Sequence, residues 1–121
     1  MRELLATRST DPRAALAVEM FCYQAAKAAG ALAAALNGLD SLVFTGGIGE
    51  HAPPVREGIC AELAHLGVRL ERGRNAANAA VISADDSPCT VRVVPADEER
   101  SIARHTARVL ANPRCKKLPP P

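Results

Sequence analysis

Aromatic residues are almost absent from this chain of 121 residues: Phe21, Phe44 and Tyr23 make up 2% of it, and there is no Trp. Small aliphatic side chains must build the core instead, and 24 alanines supply about a fifth of the sequence. Each alanine buries little area at roughly 25 cal/mol per Å² of apolar surface, so modest stability per residue is expected. A large charge excess is also lacking, with 15 basic against 13 acidic residues and a net charge of +2. No basic stretch carries interleaved aromatics, which argues against nucleic-acid binding. No apolar run reaches the length of a membrane helix, because Glu19 and Lys27 interrupt the alanine-rich stretch, and Met1-Arg2-Glu3-Leu4-Leu5 does not have the pattern of a signal peptide. The four cysteines, Cys22, Cys60, Cys89 and Cys115, have no CxxC spacing and no histidine at ligand spacing, which argues against zinc and against a redox motif. They are expected to be reduced thiols of a cytoplasmic protein, two or three of them buried as small hydrophobes.

What is present, 48% hydrophobic and 23% charged residues, fits one globular domain. Asp11 before Pro12 marks a helix start, and Asn37-Gly38 a natural stop. On a 100° wheel Val18, Phe21, Cys22, Ala25, Ala28, Ala29, Leu32 and Leu36 share a wide face, opposite Arg13, Glu19, Gln24 and Lys27. The continuous apolar run 41–45, ended by Gly46-Gly47, reads as a buried strand. Pro53-Pro54 opens a second helix that ends at Gly67. Residues 68–70 and 81–83 read as short strands, 72–80 as polar and irregular, and 90–94 as the second good strand. Pro95-Ala96-Asp97 opens a last helix carrying Ile102, Ala103, Thr106, Val109 and Leu110. The tail 112–121 reads as disordered.

This order is α/β, with helices covering a parallel pair of strands. Two strands do not make a stable sheet, and the alanine-rich helix offers more apolar surface than they can cover, so further strands are expected from a partner or from upstream sequence.

The densest constellation is Leu42-Val43-Phe44-Thr45-Gly46-Gly47-Ile48-Gly49-Glu50-His51, a strand delivering three glycines before a helix. Such a turn lets backbone approach a ligand and aims N–H groups at an anion or a nucleotide. Residues 47–52 also satisfy G-x-G-x-x-A, with Glu71 near the spacing of the ribose-binding acid of a Rossmann unit. Against a dinucleotide-binding unit stand Pro53-Pro54, where such a helix should already be running, and the long helix upstream.

The whole segment Phe44-Thr45-Gly46-Gly47-Ile48-Gly49-Glu50, with Val55-Arg56, resembles the adenosine-binding strand and loop of acetate kinases, which read close to F-T-[AG]-G-I-G-E-N-x-x-x-[IV]-R. Two further stretches agree independently. Residues 1–5 with Asp11-Pro12-Arg13-Ala14 form one; Val94-Pro95-Ala96-Asp97-Glu98-Glu99 with Ile102-Ala103, similar to V-I-P-T-[ND]-E-E-x-x-I-A, forms the other. The resemblance runs in order from residue 1 to about 110.

It implies an actin-like ATPase fold (sugar kinase and actin superfamily, ribonuclease H-like) in which residues 1–111 are the α-β-α-β-α remainder of a second domain, without its first three strands. It also implies phosphoryl transfer from ATP to acetate, giving acetyl phosphate and ADP, with Mg²⁺ on the phosphates, and homodimerisation through this domain. Carried over, Gly47, Ile48, Gly49, Glu50 and His51 hold the nucleotide, with His51 where the family commonly has Asn. Arg2 matches the arginine of a D-x-R nucleotide-binding triplet whose Asp would precede Met1, and Glu98 matches the Mg²⁺ ligand. His65 and His105 match no catalytic position. The family's acetate pocket and its phosphoryl-stabilising arginines fall upstream of the matched segments, so the 121 residues alone are expected to be inactive. A non-catalytic interaction fragment is the alternative from another class.

Overall fold

The protein is described by a computed structural model covering residues 1–111; the tail 112–121, with Cys115 and the disorder expected of it, lies outside the described residues. Helix α1, Arg2–Thr7, packs on the long helix α2, Pro12–Leu36. The start and stop of α2 follow from local chemistry. The Asp11 carboxylate accepts a hydrogen bond from the Arg13 N–H at 2.8 Å, and Asn37 takes the left-handed conformation at φ 59° while donating to Ala33 and Ala34.

Strand β1, Ser41–Phe44, leads into a short helix α3, Gly46–His51, and then α4, Pro53–Glu62. A 3-10 turn at Ala64–Leu66 ends at Gly67. Helix α5, Arg72–Ala76, precedes strand β2, Thr90–Val93, and helix α6, Glu98–Leu110, closes the described chain. The two strands pair in parallel, Ser41 with Thr90 through Phe44 with Val93. The far edge of β2 is held by the Ile82 N–H on Val91 and the Val93 N–H on Ala80.

Several details depart from the sequence reading. The glycine segment is helical, not an open loop, and residues 72–80 contain α5, which Glu71 caps by accepting from the Gly73 and Arg74 N–H groups. Residues 68–70 and 81–83 make only single bridges, Val68 with Cys89, Leu70 with Ser83 and Val81 with Arg92. Strand β1 alternates exposed and half-buried positions, with Val43 50% exposed, so it is not buried on both faces.

The wide face of α2 is only partly used. Val18, Cys22 and Ala26 pack in the core with Val55, Ile59, Cys60 and Leu63 of the α4 region and Ile82, Cys89, Val91 and Val93 around β2. Phe21, Leu32 and Leu36 lie in the same sector of the wheel, yet they are 39%, 65% and 73% exposed. For Leu32 and Leu36 the reason is reach. At about 1.5 Å per residue α2 is more than twice as long as α4, and within α2 only the small Ala33 is buried beyond Ala29. Phe21 is exposed within the covered stretch, next to the buried Cys22.

The α2–α4 contact is set by Gly58. A Cβ there would lie 2.9 Å from the Cys22 sulfur, whose thiol donates to the Val55 carbonyl at 3.7 Å. Cys22, Cys60 and Cys89 are all buried and unbridged, as expected of small core residues. Burial, with Cys89 nearby, pushes the Cys60 thiol from its ordinary 9.0 up to about 12.

Two outcomes are expected. Gly58→Ala should lose about 1–3 kcal/mol in urea titrations despite the better helix propensity of alanine, and Cys22→Ala in the same chain should recover part of it. Because the folded thiol binds its proton more tightly than the unfolded one, its stabilisation is complete below pH 9.0 and is lost as pH rises towards about 12. Thermal melting across that range should therefore fall more steeply in the wild type than in Cys60→Ala.

Candidate functional site

Parallel pairing makes the chain leave β1 and β2 at the same edge of the sheet, where ligand sites of α/β folds form. After Phe44 the chain enters α3 through Gly46, whose φ of +71° a side chain would strain. Gly49 sits on the strand end itself, since a Cβ there would lie 3.1 Å from the Phe44 carbonyl carbon. After β2 the chain runs through Val94–Asp97 into α6, where the Asp97 carboxylate caps the helix by accepting from the Arg100 N–H at 3.0 Å. One hydrogen bond ties the two exits together: the Ala96 N–H donates to Glu50 Oε1 at 2.8 Å.

Between the exits lies a cleft of about 400 Å³ lined by Gly46, Gly47, Glu50, His51 and residues 96–99. A second hollow, of about 440 Å³, is lined by Met1, Arg2, Leu5, Gly47, Ile48, His51 and Ala52. Gly47 and His51 belong to both. The structure thus brings together Arg2, Gly47, Ile48, Glu50, His51 and Glu98, which lie far apart in the sequence. Gly49 lines neither hollow and serves the packing of α3 on β1. The Glu50 carboxylate is occupied by backbone, so its visible work is to fix the segment that carries Glu98. The space beyond Gly47 is open, with no atom outside its chain neighbours and its own helix backbone within 4 Å of where a Cβ would stand. Glu98 is exposed at the start of α6, and among the described residues no three His, Cys, Asp or Glu side chains gather as a metal-holding group. His65 and His105 are exposed and line neither hollow.

Arg56 is the residue whose role sequence reading did not identify. It is 0% exposed and has no ion-pair partner among the described residues. Its guanidinium makes five hydrogen bonds, all to neutral oxygens: Nη1 to the Gly49 and Glu50 carbonyls at 2.8 and 2.9 Å, Nε to Asn75 Oδ1, and Nη2 to the Asn75 carbonyl and Asn78 Oδ1, the last three each at 2.7 Å. The sequence explains the first two. In a continuing helix the carbonyls of residues 49 and 50 would accept from the N–H groups of residues 53 and 54, but Pro53 and Pro54 have none. The guanidinium replaces both missing donors at the C-terminal end of α3 and meets the C-terminal end of α5 on its other side. Carbonyl dipoles offset the buried cation there in place of a carboxylate. Burial nevertheless draws its pKa down from the ordinary value. The available signal was Pro-Pro followed by an arginine one turn later.

Glu71, the acid of the dinucleotide alternative, is committed to capping α5, and those backbone hydrogen bonds hold its carboxyl below the usual range. That reading gives way to the comparisons with known proteins. Residues 1–104 match the Acetokinase family. The chain is 50% identical over 113 residues to an acetate kinase of Rhizobium meliloti, covering 93% of this chain and 28% of that one. It is 51% identical over 111 residues to an acetate kinase of Rhodopseudomonas palustris strain TIE-1, covering 90% and 27%. Among solved structures, acetate kinase of Porphyromonas gingivalis aligns with a TM-score of 0.76 at 40% identity, over 90% of this chain and 28% of that chain. A propionate kinase from Francisella tularensis aligns at 0.78 and 36%, over 85% and 27%. The chain therefore spans little more than a quarter of the length of these relatives, and over that span it belongs to the acetate kinase family.

Proposed function

We propose that this chain carries part of the ATP and magnesium site of an acetate kinase, whose complete form transfers the terminal phosphoryl group of ATP reversibly to acetate. The observation that carries the reading is the single cleft in which Gly47, bare of any side chain, faces the segment bearing Glu98. Phosphoryl transfer needs positioning and charge stabilisation more than covalent work by the protein. The glycine face of α3 lets phosphates approach backbone closely. The neighbouring hollow, walled by Met1, Leu5, Ile48 and Ala52 and bordered by Arg2, offers apolar surface and a cationic residue that suit a nucleotide. His51, between the two, can give or take one hydrogen bond to the nucleotide.

The donor set fits magnesium, which keeps several waters and is usually held by one or two carboxylates together with substrate phosphates. Glu98 is the carboxylate that would hold it, and when bound the ion neutralises phosphate charge. In the actin-like ATPase arrangement that we assign to the intact enzyme, three further strands continue the sheet beyond β1 and cover the exposed Phe21, Leu32 and Leu36 of α2. Among the described residues Arg2 is the one arginine lining either hollow. We therefore assign the arginines that stabilise a transferring phosphoryl group, and acetate binding with them, to the remainder of the enzyme. Acetate against propionate is decided there too.

Gly47→Ala should leave urea stability within about 0.5 kcal/mol of wild type, and should weaken MgATP binding by calorimetry about tenfold. Glu98→Gln should abolish the gain in ATP affinity that Mg²⁺ brings while leaving metal-free binding unchanged; an undiminished gain would remove Glu98 from the site. The purified chain, given ATP, Mg²⁺ and acetate, should yield no hydroxamate-trapped acetyl phosphate above a heat-killed control.

A further inference from the structure

We infer that Arg56 is a positioning residue for the nucleotide turn: by holding the Gly49 and Glu50 carbonyls it fixes α3, and through the Glu50 carboxylate it fixes the segment that presents Glu98. The functional meaning of this inference rests on the nucleotide reading of the cleft. Its structural content rests on the hydrogen bonds alone.

The geometry is a closed ring around the proline pair. Arg56 Nη1 reaches back to Gly49 and Glu50, while its Nε and Nη2 grip Asn75. Asn75 in turn donates from Nδ2 to the Pro53 carbonyl at 3.0 Å. Asn78, at φ +52°, supplies the fifth acceptor from the turn that ends α5. Gly46 and Gly47 put no side chain in the way of a ligand, but for the same reason they give the turn no packing of its own to hold it in place. Gly49 seats α3 against Phe44, and the far end of α3, where Pro53 and Pro54 have removed the ordinary helical donors, needs a holder of its own.

The consequences pass along named bonds. With the Gly49 and Glu50 carbonyls held, the peptide planes of α3 and the root of the Glu50 side chain are set. Glu50 Oε1 then accepts from the Ala96 N–H at 2.8 Å, two residues before Glu98. One buried side chain therefore governs both walls of the cleft while lining neither hollow. Lysine cannot replace it, because a point charge on a flexible stem does not span acceptors spread over a planar fork.

The test compares Arg56→Lys, Asn78→Ala and Ile82→Val in the 121-residue chain, reading amide hydrogen exchange by mass spectrometry and MgATP affinity by calorimetry. Arg56→Lys should raise exchange in residues 46–52 and 95–98 about tenfold and weaken MgATP about tenfold, with α2 and β2 still protected. Asn78→Ala leaves the guanidinium its other partners and should show the same local pattern at smaller amplitude, which keeps the test valid if Arg56→Lys unfolds. Ile82→Val deletes a methylene from a fully buried side chain and should lower stability without moving either local readout. Unchanged exchange in 46–52, or a rise spread evenly over every segment in both Arg56→Lys and Asn78→Ala, would overturn the inference. A wild-type chain that binds no MgATP, with the local exchange pattern as expected, would support the clamp and remove the nucleotide reading instead.

Discussion

A buried guanidinium without a carboxylate partner is the constraint on which the candidate site depends. Arg56 is fully buried, and leaving such a charge without partners would cost several kcal/mol, a large share of a domain's net stability. The chain meets that demand with carbonyl oxygens gathered from the ends of two short helices and two asparagine amides. Those oxygens are free because the sequence makes them so: Pro53 and Pro54 withhold donors from α3, and the chain stops winding after Ala76 at the end of α5. The requirement runs both ways, since the orphan carbonyls need the arginine as much as the arginine needs them. Neither short helix would be stable in isolation. Arg56 ties the two together, beside the Glu71 cap of α5 and the packing of Gly49 on Phe44.

The second determinant is direction. Because β1 and β2 are parallel and in register, α3 and α6 leave from the same edge, and residues more than forty positions apart come to face one cleft. A hydrogen bond from backbone to carboxylate, Ala96 to Glu50, then sets how the two exits sit against each other. Glu50 matches a nucleotide-holding position by resemblance, yet its Oε1 accepts from protein. The two roles are compatible, because a carboxylate has further lone pairs.

Features fixed by local chemistry were legible in the sequence. Asp11-Pro12 and Asn37 bounded α2, the apolar runs gave β1 and β2, Pro53-Pro54 started α4, and Asp97 opened α6. Features that depend on the rest of the molecule were not. A helical wheel places Leu32 and Leu36 with Val18 and Cys22, but it cannot say where along α2 the covering layer ends. An apolar run such as 41–45 looks the same whether one face of its strand is covered or two. The short helices α3 and α5 carry glycine and asparagine at propensities that predict turns, and both exist through tertiary capping. Arg56 was visible only as a motif letter, because an arginine in sequence gives no sign that it will be buried.

Division of labour explains why a small-cored chain can still present an ordered candidate site. The alanine-rich contact between α2 and α4 brings backbones close at Gly58 and Cys22 and supplies apolar burial without bulk. Its one directional element is the weak bond from the Cys22 thiol to the Val55 carbonyl. Direction comes from the polar layer above it, where Arg56, Asn75, Asn78 and Glu50 exchange hydrogen bonds mainly with backbone, whose positions the helices and strands already define. Side chains bonded to backbone can be oriented without a large surrounding core, because each new bond adds to an existing framework and does not have to order a second flexible group. The magnesium ligand we propose, Glu98, makes the fewest demands on that framework. A single carboxylate at a helix start, acting with phosphates brought by the nucleotide, needs correct placement of one turn of backbone and no preformed cage.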